Sequence, residues 1–177
     1  MSAFPSPLLC GLPPVIDART RLVVLGSFPG VASLEAGQYY AHPRNQFWPL
    51  LSAIWNVDLR ALPYAERLAA MNEHHLALRD AYARCRREGS LDSAIADAQL
   101  NDLASLRVRA PGLTAVAHNG GESARARHVT EGLAVDVVGL PPLIEDALRG
   151  VGPHPRGAVL MTRVSGAVTI VDGHRVG

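Results

Sequence analysis

Two amides and a group of loop aromatics are the side chains in this chain best placed to do chemistry. Asn119 stands at the end of an apolar run and Asn45 at the end of the loop that follows one, with Phe28, Tyr39 and Tyr40 in that same loop. An amide carries a donor and an acceptor together and is a poor proton acceptor. Its catalytic use is therefore to orient a water or to pair with the polar edge of a base, through positioning and electrostatics. An aromatic ring in a polar loop either anchors the core or stacks on a base, an interaction worth roughly 1–3 kcal/mol. Both amides also have a plainer reading. Asn45 precedes the apolar helical run from Gln46 to Trp55 as an N-cap would, and Asn119 precedes Gly120-Gly121 as a turn residue would.

Other chemistries find no support. The segment Gly26-Ser27-Phe28-Pro29-Gly30 has neither the dinucleotide-binding glycine spacing nor the Walker pattern. The seven histidines show no metal-ligand spacing: His74 and His75 are neighbours, and His118 and His128 match no zinc motif. There is no nucleophile elbow and no catalytic-cysteine signature. Between Gly26 and Asn45 the only acid is Glu35, so paired carboxylates are absent there. The expectation is a site with no metal and no cofactor.

The elements that must hold such a site follow from pattern. Residues 21–26 read as a short buried strand closed by glycine. The glycines and prolines from Gly26 to Asn45 forbid a continuous helix. The run from Gln46 to Trp55 then reads as a helix with Pro49 in its first turn. Residues 63–88 are helical in pattern with a break near His74. Ser90-Leu91-Asp92 reads as a turn into a short helix through Ala98. Asn101 or Asp102 caps a further short helix ending before Pro111. Leu113 to His118 and Ala134 to Leu140 read as strands, separated by a helix from Glu122 to Glu131. Beyond Pro142, Leu143 to Leu148 reads as a turn or two of helix, and Ala158–Val164 with Ala167–Val171 as a hairpin. Alternating strands and helices imply an α/β domain with a mainly parallel sheet and helices on both faces.

The 177 residues suit one domain spanning the chain, with an extended or irregular proline-rich segment over residues 1–20. A hydrophobic fraction of 48% against 19% charged residues is that of a globular protein. A net charge of +1 supplies no global basic field, so nucleic-acid binding must rest on a local patch. Arg79, Arg84, Arg86 and Arg87 cluster, and read as one solvated helix face. Cys10 and Cys85 form no disulfide framework, and no apolar run approaches the roughly 18 residues of a membrane span. The expectation is a soluble, cytoplasmic protein.

The stretch GSFPGVASLEAGQYYAHPRNQFW, from Gly26 to Trp48, resembles the first motif of the uracil-DNA glycosylase superfamily, and most nearly its hypoxanthine-DNA glycosylase (DNA-deoxyinosine glycosylase) branch. The likeness continues through Arg87 to Asp92, the pair Asn101-Asp102, and His118-Asn119-Gly120-Gly121, covering roughly residues 11 to 140. It implies a three-layer α/β/α sandwich around a mainly parallel four-stranded sheet. It also implies cofactor-free hydrolysis of the N-glycosidic bond of a deaminated base in double- or single-stranded DNA, by a monomer. Hypoxanthine is the base implied by the branch, with uracil and xanthine beside it. On this resemblance Asn45 is the catalytic residue. Asn119, Tyr40, Phe28 and Gly30 hold the base, and Ser27, Ser33, His42, Arg44 and Gly120 contact DNA. The family's second motif, a Ser-rich loop after the last core strand, is not matched. Leu140-Pro141 begins it, but Pro142-Leu143-Ile144-Glu145-Asp146 follows, with two acids and no serine, and residues 142–177 are atypical. The alternative is thus a relative that binds DNA or nucleobase without efficient excision. A generic nucleotide hydrolase is disfavoured, since it would want phosphate or metal ligands.

Overall fold

The computed structural model describes residues 6–140 and the strands 160–164 and 167–171. At its centre lies a four-stranded sheet of β2 (Leu22–Gly26), β3 (Leu76–Asp80), β6 (Ala115–Asn119) and β7 (Asp136–Leu140). The spatial order is β3-β2-β6-β7 and every pairing is parallel. The register places Gly26 opposite Asp80 and Leu25 opposite His118.

A strand buried on both faces sends alternate residues to two cores. Leu22 and Val24 meet Phe47, Trp48, Leu51 and Met71, which come from α2 (Phe47–Trp55) and α3 (Tyr64–Glu73). Val23 and Leu25 meet Leu106, Ala126 and Val129 on the other face. That face is covered by α4 (Ser105–Arg109), α5 (Gly121–Ala124) and α6 (Arg127–Thr130). Helices, sheet and helices make the expected three-layer α/β/α sandwich. Asp102 accepts a hydrogen bond from Ser105 N at 3.2 Å just ahead of α4, as a capping residue would.

The second half of the expected 63–88 helix is instead two strands. The helix α3 ends at Glu73, and His75 takes a positive φ of 56° that starts β3. The apolar residues from Leu68 to Cys85 happen to fit helical spacing, but the sheet claims Leu76, Ala77 and Leu78 as a fully buried strand. β3 then runs through Ala81 into β4 (Tyr82–Arg86), the middle strand of a second, antiparallel sheet. Its neighbours are β1 (Leu8–Cys10) and β5 (Ala96–Leu100). Within the extended or irregular segment expected over residues 1–20, Leu8–Cys10 is extended and pairs with Arg84–Arg86. One more expectation fails. The expected short helix through Ala98 is one turn of 3-10 helix, Asp92–Ala94, followed by strand. β5 is exposed along its length, so it carries no apolar alternation to read.

The expected Glu122–Glu131 helix is broken into α5, α6 and a 3-10 turn. A helix α1 (Val31–Ala36) occupies part of the loop between β2 and α2. The expected hairpin is present as β8 (Leu160–Val164) and β9 (Ala167–Val171), with Val164 opposite Ala167. The expected helix at Leu143–Leu148 and the segment that departs from the second motif lie outside the described residues.

Candidate active site

Parallel strands deliver their carboxyl ends to one edge of the sheet, and that edge is where an open α/β fold keeps its cavity. Here the ends of β2, β3 and β6 surround a cavity of about 530 Å³. Asn45, Phe28, Gly30, Tyr40 and Asn119 all line it. So do Ser27, Ser33, His42, Arg44 and Gly120, so every residue given a catalytic, base-holding or DNA-contacting role in the sequence reading is on its wall.

Asn45 is fixed by the helix it precedes. Its Oδ1 accepts the Phe47 N–H at 2.9 Å, and its own N–H donates to His42 O at 2.9 Å. The N-cap position itself is Gln46, so Asn45 stands one residue ahead of the capping position expected for it, and its bond to the Phe47 N–H holds the side-chain amide at the cavity. Tyr40 has φ 55°, an outlier for a bulky residue that costs on the order of 1–3 kcal/mol. What holds it there is visible. Its ring stacks on Phe47 at 4.0 Å and 23°, and its hydroxyl accepts from Asn119 Nδ2 at 3.1 Å. Burial, followed by the charge of Asp80, holds the Tyr40 hydroxyl well above the ordinary tyrosine range. Gly120 takes φ 97°, which lets the chain turn sharply after Asn119. Tyr39 belongs to the core: it is buried, and its hydroxyl donates to Pro13 O at 3.0 Å. Phe28 packs on Tyr82 and Cys85 while lining the cavity, with the Arg87 guanidinium 5.1 Å above its ring.

A second segment closes the first loop from across the cavity. Ser90 Oγ accepts the Val31 N–H at 2.9 Å, which satisfies one open donor at the start of α1. Ser27 Oγ donates to Asp92 Oδ1 at 2.7 Å, and Arg87 Nη2 donates to Pro29 O. The stretch from Arg87 to Asp92 is thus a brace for the loop Ser27–Val31. Ser33 adds an internal tie by accepting the Ala41 N–H at 3.2 Å. The arginine cluster is not a solvated helix face. Arg79 donates to Leu12 O and Asn101 Oδ1, Arg86 to Ser6 O, and Arg87 is buried. Arg44 is exposed at the cavity, and His42 Nδ1 accepts its backbone N–H at 3.2 Å.

Several residues of the cavity were missed from the sequence, among them Ser90, Leu91, Asp92 and Asp80, of which Asp80 is the most buried. It sits at the end of β3 with 5% of its surface exposed, and Asn101 Nδ2 donates to its carbonyl at 2.8 Å. A Cβ added at Gly26 would lie 2.5 Å from Asp80 Oδ1, so the glycine leaves room for this carboxyl. Burial pushes the Asp80 carboxyl up to about 7, with Arg79 opposing and Asp92 adding to the rise. The available signal was the apolar run Leu76–Leu78 ending near an acid, which the helical spacing concealed.

His118 is structural. It is 1% exposed, with Ser123 Oγ 2.9 Å from Nδ1 and Thr130 Oγ1 2.9 Å from Nε2. Burial holds its ring below the ordinary histidine range. Among the described residues no three His, Cys, Asp or Glu side chains gather as metal ligands, and no helix is long and apolar enough to cross a membrane.

Comparison with known proteins places this arrangement among relatives. A hypoxanthine DNA glycosylase of Methanosarcina barkeri is 42% identical over 113 residues, 64% of this chain and 72% of that protein. A hypoxanthine DNA glycosylase of Methanosarcina acetivorans is 31% identical over 131 residues, 74% of this chain and 83% of that protein. The solution NMR structure of a candidate uracil DNA glycosylase from Methanosarcina acetivorans matches with TM-score 0.73 and 29% identity, covering 82% of this chain and 90% of that one. No family model matches the chain.

Proposed function

We propose a function for a chain that belongs to the hypoxanthine-DNA glycosylase branch of the uracil-DNA glycosylase superfamily: it hydrolyses the N-glycosidic bond of a deaminated base in DNA. The base is hypoxanthine, with uracil and xanthine as the further candidates. The observation that carries the reading is the convergence of a fixed amide, a paired amide and a strained tyrosine on one cavity at the sheet's carboxyl edge.

A base inside a duplex is out of reach, so the target nucleotide swings into the cavity. Tyr40 and Phe28 form the walls, and Asn119 with the backbone near Gly30 reads the polar edge of the base. Asn45, whose oxygen is tied to the Phe47 N–H, holds a water toward C1′ as the bond loosens. His42 and Arg44, exposed at the cavity rim, take the flanking DNA backbone, with Gly120 beside them, while Ser27 and Ser33 are buried and contribute through the loop they hold. Leu91 lines the same cavity with 71% of its surface exposed, a placement suited to filling the gap that the extruded base leaves in the stack. The protein works as a monomer in the cytoplasm.

The test is release of labelled base from duplexes containing deoxyinosine, deoxyuridine or deoxyxanthosine, read by alkaline cleavage of the abasic site. Asn45→Ala abolishes release while duplex binding persists. Asn45→Ser keeps an acceptor for the Phe47 N–H, so loss of release in both variants traces to the amide and not to the helix start. Release at the wild-type rate in either variant removes Asn45 from the mechanism. Binding without release by the wild-type chain supports instead the non-excising relative suggested by residues 142–146.

A further inference from the structure

The Asp80 carboxyl lies on the wall of the cavity and has no part in the reading above. Its Oδ2 is buried and has no hydrogen-bond partner among the described residues. Its backbone is clamped: Asn101 donates Nδ2 to Asp80 O at 2.8 Å and its N–H to Ala81 O at 2.8 Å. Gly26, opposite it in the register, supplies the space for the side chain. The charged and titratable groups that face it come from four segments. Arg79 adjoins it on β3, Arg87 follows β4, Asp92 comes from the brace, and Tyr39 and Tyr40 come from the loop before α2. Neither arginine forms an ion pair with it among the described residues. Arg79 is engaged with Leu12 O and Asn101 Oδ1, and Arg87 with Pro29 O. A buried carboxyl with no cation on it is more stable as the neutral acid, and a neutral acid on the cavity wall is a hydrogen-bond donor.

We propose, resting on the glycosylase reading, that Asp80 is a further catalytic residue whose O–H donates to the extruded base and passes its proton to that base as the bond breaks. Being almost wholly buried, it meets what goes deepest, which is the base and not the sugar. The C1′–N bond breaks with its electron pair going to the base, and the Asp80 proton neutralises the base at a second ring nitrogen. The water oxygen bonds to C1′ and releases a proton to solvent, from which Asp80 is reprotonated once the base has left. This chemistry favours a purine. A purine attached through one ring nitrogen keeps unprotonated acceptors at N3 and N7, whereas uracil offers only carbonyl oxygens.

The experiment is single-turnover release of hypoxanthine from a deoxyinosine duplex across pH, for the full chain and for Asp80→Asn and Asp80→Ala. The wild-type rate is expected to be level at acid pH and to fall tenfold per unit above about pH 7, where burial places this carboxyl. Both variants are expected to be about 10²-fold slower at acid pH and to lose that fall. Binding to a duplex with a non-cleavable 2′-fluoro deoxyinosine stays within a few-fold of wild type. Asn is isosteric and still donates a hydrogen bond, so a merely structural Asp80 would leave the Asp80→Asn rate and profile unchanged, and that result overturns the proposal. A wild-type rate that rises with pH through 7 also overturns it, because it marks a base where an acid is required, and this measurement needs no variant to fold. If the wild-type chain releases no base from any lesion, the glycosylase reading falls and takes this one with it. Wild-type release with unchanged variants removes only Asp80.

Discussion

Replacing Asp80 with Asn should stabilise the folded protein at alkaline pH while it impairs the reaction. The carboxyl is 5% exposed and burial raises it from 3.8 to about 7 in the fold. Between those two values the folded chain holds a proton that the unfolded chain has lost. Stability therefore falls as pH rises through that window, and the full penalty is present above it. A shift of about three units corresponds to about 4 kcal/mol, an upper figure for the gain from removing the charge. The gain is small near pH 4, where the folded chain carries the neutral acid and the unfolded chain is only about half ionised. Denaturant unfolding of wild type and Asp80→Asn at about pH 4 and pH 8 isolates the effect, because every other titrating group cancels in the difference. The variant should gain on the wild type by up to about 4 kcal/mol between the two, roughly 10 °C in midpoint for a chain of this size. An equal difference at both pH values would show an ordinary carboxylate in contact with water, and the reasoning about a dry cavity wall would fail.

Gly26→Ala should push the Asp80 carboxyl aside, since the new Cβ would lie 2.5 Å from Oδ1. The expected result is a loss of about 1–3 kcal/mol in chemical denaturation together with a loss of base release. Tyr40→Phe keeps the stack on Phe47 but leaves Asn119 Nδ2 without the hydroxyl it binds at 3.1 Å. It should cost about 1 kcal/mol and weaken binding of the base, read as a raised KM. Ser90→Ala removes the acceptor for the Val31 N–H and should loosen α1. Faster amide exchange over residues 30–34, with the strands unaffected, is the measurement. His118 is buried neutral, so folding stability should decline as pH falls below its ordinary value near 6.5, where the unfolded chain protonates first. His118→Gln should flatten that decline in unfolding curves taken between about pH 5 and pH 7.

The residues from Arg21 to Trp55 carried their own structure. An apolar run closed by Gly26, a loop broken by Pro29, Gly30 and Gly37, and a helix preceded by Asn45 are all local events, set by dihedral freedom and by the supply of N–H acceptors. The parallel sheet was legible for a related reason: strands buried on both faces are apolar throughout, and the helices between them force parallel crossovers. What the chain does not carry locally is partnership. Nothing near Leu76 announces that it pairs with Leu22, so helical spacing misled until the register with β2 was seen. β5 is exposed along its length and exists because β4 offers an edge. Ser90, Asp92 and Arg87 brace the loop only because the chain returns to it about sixty residues later. Asp80 is the sharpest case. In sequence it is one acid beside an arginine. It becomes a buried carboxyl without a partner among the described residues only when Gly26 on the neighbouring strand makes room and the loop before α2 brings Tyr40 beside it.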